Sequence, residues 1–410
     1  MRILNVSGFD IVGPLANGYL LHREYLKRGI ESQMAVWKKG DLSDPTIHEL
    51  RDGASNYVNF ASVFLEKKLS LYSVLPAAGF QLYFKPYYRN ADIVHLHLPH
   101  VTSFFSIFNF PLMGSDKRHH VVLNVHDMFF MTGLCHYSLE CDRWMTGCGH
   151  CPDLSRSFPV RRDTTAFMWK LKKWAFERTN ATLIVGSDWQ LEHLKRSPIL
   201  SHLPYRMIPY AVDTNYYRLQ DKATCRAKLG IPVDAKVIAF RFVASQKNMK
   251  GIAYIERALA SLDLGNNAYI IALEGKGGLD SLRGKYLFRE LGWVNDPKKI
   301  AIALGAADIF LMPSTAEAFG LMAVESMACG TPVIVFEGTA LPKTIHAPLG
   351  GLAVPRDADA LASAILELLT NESLRQAMSN YGVKIVKQDH TLDLYVSRHL
   401  DLYRELIQYE

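Results

Sequence analysis

The sequence predicts a doubly wound α/β protein built as two units, on three observations. The first half alternates short apolar strands with helical stretches, the pattern of a parallel sheet covered by helices on both faces. The same alternation restarts in the second half. At 410 residues the chain is also longer than one ordinary core organises.

Arg2 to Ser7 reads as a strand, followed by a loop through Gly8, Gly13 and Gly18 and a helix that runs to Arg28 and closes at Gly29. Further strands are expected at Gln33 to Trp37, Ile93 to Leu98, Val121 to Val125 and Thr182 to Val185. In the second half, strands are expected at Lys236 to Val243, Ala268 to Leu273, Ile309 to Met312 and Pro332 to Phe336. Helices are expected at Gly251 to Leu262, Asp359 to Leu369, Leu374 to Val386 and Leu392 to Ile407. The expected boundaries are 1–205 for the first domain and 206–388 for the second. Residues 389–410 form a C-terminal helix expected to pack back on the first domain.

Composition sets the broad class. A hydrophobic share of 49% and a charged share of 21% are those of a soluble globular protein. A formal charge of +6 over so long a chain gives no reason to expect a nucleic-acid partner. Met1 to Ser7 lacks the charged start and long apolar run of a secretory signal. The apolar stretches near Leu69 to Phe80 and Val101 to Met113 are too broken to span a bilayer. The expected compartment is therefore the cytoplasm, or the inner face of the plasma membrane.

The most informative segment runs from Pro313 to Val333. A strand ends at Pro313, a short polar loop carries Glu317, and Leu321 to Cys329 reads as a helix closed by Gly330. Glu325 lies inside that otherwise apolar helix, where a carboxylate requires hydrogen-bond donors. The hydroxyls of a ribose suit it, and the amides at the Gly320 helix start suit a diphosphate.

This segment resembles the E-x7-E signature of retaining glycosyltransferases of family 4, which have the GT-B architecture of two Rossmann-like domains facing across a cleft. Ala307-Asp308, Pro313-Ser314, Phe319-Gly320-Leu321, Glu325 and Ala328-Cys329-Gly330-Thr331-Pro332-Val333 match it. The resemblance implies that Glu317 contacts donor-sugar hydroxyls, that Glu325 contacts the ribose, and that Phe319, Gly320 and Leu321 line the donor site. Asp92 to His97 looks like the strand near the middle of the family's first sheet. Ile208 to Asp213 resembles the entry to its second domain, with Tyr210 and Ala211 in place of the usual Asn and Gly.

Other residues join the reading through the same resemblance. His126, ending a strand in Asn124-Val125-His126-Asp127, matches the histidine beside the transferred sugar. Gly13, between the first strand and its helix, suits close approach of backbone to a phosphate or sugar. Lys250 before Gly251 matches the diphosphate-binding lysine; the usual arginine position falls on Ser245, so Arg241 or Lys247 would supply a second charge. The base would be met by Gly292 to Asn295 and the strand end near Glu274. The implied reaction is retaining and needs no metal or cofactor, with a nucleotide-sugar donor, UDP-glucose or a related UDP-hexose first. The acceptor would be a saccharide or a lipid-linked sugar of polysaccharide biosynthesis. A non-catalytic nucleotide-sugar-binding protein and a GT-B epimerase are the alternatives.

Two features stand outside the donor motif. Cys135, Cys141, Cys148 and Cys151 crowd one segment that resembles an insertion in transferases building bacterial polysaccharides. Cys148-x2-Cys151 has metal-knuckle spacing and the other two could complete a zinc site, yet the intervals are irregular; a tight loop of buried thiols is the preferred reading. Basic and aromatic residues also mingle in Met168 to Arg178 and in Phe64 to Arg89, either as faces that lie on an anionic membrane or as ordinary core helices.

Overall fold

The computed structural model describes residues 1–408 apart from 12, 14, 17, 159, 242–248, 274–278 and 295. The described residues form two compact units, one of Met1–Ile208 with Val396–Glu410, the other of Pro209–Tyr395.

The first unit holds seven strands: β1 (Arg2–Phe9), β2 (Glu31–Lys38), β3 (Ile47–Glu49), β4 (Ile93–Leu96), β5 (His120–Asn124), β6 (Ala181–Val185) and β7 (Tyr205–Met207). Their order is β3-β2-β1-β4-β5-β6-β7, all parallel. The second unit holds β8 (Lys236–Arg241), β9 (Ala268–Leu273), β10 (Leu287–Gly292), β11 (Ile309–Met312), β12 (Val333–Phe336) and β13 (Gly351–Val354). Their order is β10-β9-β8-β11-β12-β13, again all parallel. Both sheets thus reverse direction once, between β1 and β4 and between β8 and β11. In such sheets ligands bind beyond the carboxyl ends of the strands at that reversal.

The central strands are continuous apolar runs because helices cover both faces: every residue of β4, β6, β9 and β12 is buried. Four strands went unread in the sequence, and they are the four sheet edges, β3, β7, β10 and β13. Paired on one side only, β3, β7 and β10 carry exposed or half-exposed polar residues such as His48, Arg206, Arg289 and Glu290, while β13 is a four-residue apolar run, Gly-Leu-Ala-Val, that starts directly after Gly350 and is half-exposed over its last three residues.

The helix Leu392–Gln408 carries its last part into the first unit, where the Tyr403 hydroxyl lies 2.6 Å from His95 Nδ1 and 3.3 Å from the Tyr25 hydroxyl. His95 in β4 and His97 just past it are both buried: Asn5 Oδ1 lies 3.1 Å from His97 Nε2 and the Asn124 side-chain amide 3.0 Å from His97 Nδ1. Burial, reinforced by His399 beside His95 and by His95 beside His97, holds both imidazoles neutral, with pKa values well below the ordinary one.

Candidate functional site

In the second unit the reversal lies between β8 and β11, and the chain brings its signature residues to that end of the sheet. After β8 the backbone returns through Met249 and Lys250 to Gly251, which starts the helix Ile252–Ser261. After β11 it turns at Pro313, and the Thr315 N–H donates to the Met249 carbonyl at 2.8 Å, binding the two loops together. The Lys250 ammonium then meets Glu317 Oε2 at 2.8 Å, with 22% and 14% of the two side chains exposed. Arg241 is the last residue of β8, at the same sheet end. Lys247, Glu274 and Asn295 lie outside the described residues.

Two glycines make this close approach feasible. Gly251 has φ +69° and faces the Pro313 carbonyl so closely that a Cβ would sit 2.0 Å from its oxygen. Gly320 has φ +96° and starts the helix Leu321–Ala328. Neither helix start is capped by a side chain, so both turn backbone amides and the positive end of the helix dipole toward this end of the sheet.

Phe319 and Leu321 flank Gly320. The Phe319 ring is buried edge-on to Tyr210, centroids 4.9 Å apart, and its carbonyl accepts from the Thr344 hydroxyl at 2.8 Å. Tyr210, one of the two departures from the family pattern, is therefore a packing partner of the motif. Glu325 is half-buried in its helix and accepts from the Tyr217 hydroxyl. Burial first, and then the Glu325 charge, push the Tyr217 pKa far above the ordinary phenol value. Tyr217 was not singled out in the sequence; it follows the expected Ile208–Asp213 turn by only a few residues. The single Asp-x-Asp spacing in the chain, Asp357-Ala358-Asp359, is a helix cap, with Asp357 accepting from the amides of Asp359 and Ala360.

The first unit gathers a second polar group beyond β4 and β5. His126 follows β5, its backbone carbonyl accepting from the Gln190 amide at 3.0 Å. Burial lowers the imidazole pKa to about 4, so the ring is neutral at physiological pH. Next to it, Asp127 Oδ2 lies 2.7 Å from His136 Nδ1 and 3.2 Å from His100 Nε2, while Oδ1 accepts from the Phe129 amide at 2.8 Å. Burial alone would raise the Asp127 pKa, but the two imidazoles more than offset it and hold the carboxyl well below its usual range. Among the described residues, His100, Asp127 and His136 are the group whose ligand atoms lie within 4.8 Å of one another, close enough to share a metal ion; the four cysteines are not in it. Mutual hydrogen bonding already accounts for this spacing. His100 and His136 were missed in the sequence because nothing in their spacing links them to Asp127. Gly13 lies in the loop after β1 with φ +65° and open space around it.

Lys172 organises the same region from below. It is fully buried on the helix Thr165–Phe176 and donates to the carbonyls of Phe129, Thr132 and Gly133 at 2.5, 3.0 and 2.8 Å. The loop it holds carries the cysteines that follow. Cys135, Cys141, Cys148 and Cys151 are all half-buried free thiols. Burial, with the other three sulfurs nearby, pushes the Cys135 thiol up to about 11. The Cys148 sulfur accepts from the Gly133 amide at 3.2 Å.

With this geometry in place, likeness to known proteins becomes informative. Residues 221–385 match the family described as glycosyl transferases group 1. A D-inositol 3-phosphate glycosyltransferase of Corynebacterium jeikeium is 32% identical over 218 residues, 49% of this chain and 52% of that protein. One of Saccharomonospora viridis is 30% identical over 241 residues, 54% of this chain and 55% of that protein. The chain thus spans about half the length of the curated relatives it matches. Sucrose-phosphate synthase of Thermosynechococcus elongatus shares the fold over all of both chains, with a TM-score of 0.73 at 21% identity. HepE of Anabaena, solved with UDP and glucose, shares it over 99% of both chains with a TM-score of 0.65 at 14% identity. Residues 221–385 are thus similar to the glycosyl transferases group 1, and the two doubly wound units share the GT-B fold of the solved structures.

Proposed function

We propose that this protein is a retaining glycosyltransferase that moves a hexose from a nucleotide diphosphate sugar to a saccharide or lipid-linked acceptor in polysaccharide biosynthesis. The observation that carries the reading is the Lys250–Glu317 pair, set where the second sheet reverses, at the starts of two helices with no side-chain cap. A diphosphate leaving group needs a cation and amide donors, and a sugar needs a carboxylate to accept from its hydroxyls. The pair and the helix starts supply both kinds of group at one end of one sheet.

The roles follow from the chemistry. Lys250, with Arg241 as a second charge, neutralises the departing diphosphate, together with amides at Gly320 and Leu321. Glu317 orients the sugar and Glu325 the ribose, with Tyr217 holding the Glu325 carboxylate. His126, neutral at working pH, is the residue of the first unit in this reading, as a contact to the sugar's hydroxyls. Retention follows a front-side attack, in which the acceptor hydroxyl enters on the face the diphosphate leaves and passes its proton to the leaving oxygen. No metal is required for charge neutralisation. UDP-glucose is the first donor to try, given that HepE of Anabaena was solved with UDP and glucose.

A thermal-shift screen of nucleotide sugars tests the reading, since a ligand that binds the native state stabilises it. A nucleotide sugar should raise the Tm, and Lys250→Ala should remove the shift. Equal shifts in the wild type and in Lys250→Ala would contradict the assignment.

A further inference from the structure

The helix Gly53–Leu69 in the first unit is inside out. Its buried residues are Ser55, Asn59 and Glu66, which lie on one side of the helix at three- to four-residue and seven-residue spacing. Its outward side is apolar: Tyr57 is 78% exposed, Phe60 73% and Phe64 53%, with Val58, Leu65 and Leu69 beside them. Ordinary surface helices bury the apolar stripe and expose the polar one.

The inversion is built in and held. Glu66 is 2% exposed and accepts from the amides of Val74 and Leu75 at 2.5 and 2.9 Å, so the acid that would have made the outer face polar is locked inside. Asp52 and Ser55 cap the helix reciprocally, fixing its start. Lys67 and Lys68 stand exposed in the last turn, with the Lys68 ammonium 4.6 Å from the centre of the Phe64 ring. The neighbouring segment Ala78–Phe84 ends in Phe84, 73% exposed, and is followed by Lys85. The face therefore combines large apolar side chains with lysines, and the helix shows no acid outside its N-cap.

We propose that this face docks on an anionic lipid bilayer, with Tyr57, Phe60 and Phe64 entering the headgroup boundary and Lys67 and Lys68 meeting lipid phosphates. Aromatic side chains beside lysines, with the apolar face outward, fit that environment. A second copy of the same face offers Lys67 and Lys68 only the N-cap Asp52, whose carboxylate already accepts from the Ser55 amide at 2.7 Å, which disfavours self-pairing. The other basic-aromatic stretch, on Thr165–Phe176, is mostly core: Met168, Trp169, Lys172 and Phe176 are buried.

The docking helix leads directly to the polar group of the first unit. Tyr72, just past its C-terminus, donates from its hydroxyl to the His100 carbonyl at 3.0 Å and stacks on Phe158 at 3.6 Å between centroids. Ser70 Oγ accepts from the amides of Arg161 and Arg162 at 3.1 and 3.0 Å, tying the helix end to the segment after the cysteines. A bilayer held at this helix would present a lipid-linked acceptor beside His100, Asp127 and His136. That purpose rests on the transferase reading; the docking itself does not.

The test is cosedimentation of the full chain with vesicles of phosphatidylcholine alone and of phosphatidylcholine mixed with phosphatidylglycerol. The expected result is binding to the mixed vesicles that weakens with salt, and little binding to phosphatidylcholine alone. Phe60→Ser/Phe64→Ser and Lys67→Glu/Lys68→Glu should each bind at least about tenfold more weakly, each lysine near the surface being worth on the order of fivefold. Both variants should keep the wild-type Tm and any shift produced by nucleotide sugars, so that failure to dock is separate from failure to bind donor. Should the phenylalanine variant misfold, the lysine variant, altered only at exposed positions, decides alone. No wild-type binding to mixed vesicles, unchanged binding in the folded variants, or a wild-type dimer that Phe60→Ser/Phe64→Ser makes monomeric would overturn the proposal.

Discussion

The Lys250 ammonium and the Glu317 carboxylate, 67 positions apart in sequence, meet at 2.8 Å where the second sheet reverses its strand order. The contact places a cation and an acid between two helix starts, and neither is deeply buried. With 22% and 14% of the two side chains exposed, the pair is still open enough for each group to exchange its partner for a substrate group. Glu317→Ala and Lys250→Ala should each lower stability by about 1–2 kcal/mol, between the values for an exposed and a buried pair, and leave the protein folded. Their larger effect belongs in turnover: each should lower kcat by roughly a hundredfold or more, as removal of one preorganised electrostatic group does elsewhere. Steady-state kinetics beside thermal unfolding of the same variants checks both halves.

Gly251 sets the distance between the two loops. Gly251→Ala would place a methyl 2.0 Å from the Pro313 oxygen in a left-handed backbone conformation. A loss of about 2–3 kcal/mol is expected from strain and displacement together. The measurement is chemical denaturation, and the loops should move apart enough to weaken donor binding as well.

Lys172 is a buried structural cation of the first unit. Lys172→Met fills the same volume but leaves three buried carbonyls without their donor. Destabilisation on the order of 3 kcal/mol is expected, because unsatisfied buried acceptors keep their desolvation penalty. Denaturant unfolding reads it, and alkylation of the half-buried cysteines should accelerate in the variant as the loop loosens.

The buried histidines fix a direction of pH dependence. His126 and His22 each have a folded pKa lowered by burial to about 4, below the unfolded value of 6.5. Between those values the unfolded chain binds protons that the native one does not, so stability falls as pH drops from about 7 toward 4. For His126 the full effect is about 3 kcal/mol. His126→Gln should flatten part of that slope in unfolding curves taken across this range. Turnover should show no inflection from His126 near its ordinary pKa, since the ring stays neutral there.

How much of this was legible in the sequence depended on local chemistry. The central strands and the Pro313–Val333 segment were readable because apolar runs, Pro313, Gly320 and Gly330 punctuate them. The edge strands β3, β7 and β10 were not, since exposure puts polar residues into the pattern that identifies a strand, and β13 is apolar but only four residues long. Glu317 and Lys250 could be named singly, whereas their contact arises only from the sheet's topology. His100, His136, Lys172 and Tyr217 were invisible for the same reason: each acquires meaning from a partner far along the chain, or from a carbonyl that no residue code displays. The inverted helix Gly53–Leu69 was read only at its end, within the Phe64 to Arg89 stretch, where membrane face and core helix stayed alternatives because an outward apolar stripe reads in sequence like an inward one.

Release of free sugar and nucleoside diphosphate from candidate nucleotide sugars, led by UDP-glucose, tests the central claim most directly. The wild type should turn over at least one donor slowly without acceptor and faster with a saccharide or lipid-linked acceptor, and folded Glu317→Ala and Lys250→Ala should abolish both. A donor that binds but is never cleaved, or cleavage that survives in both variants, would contradict it.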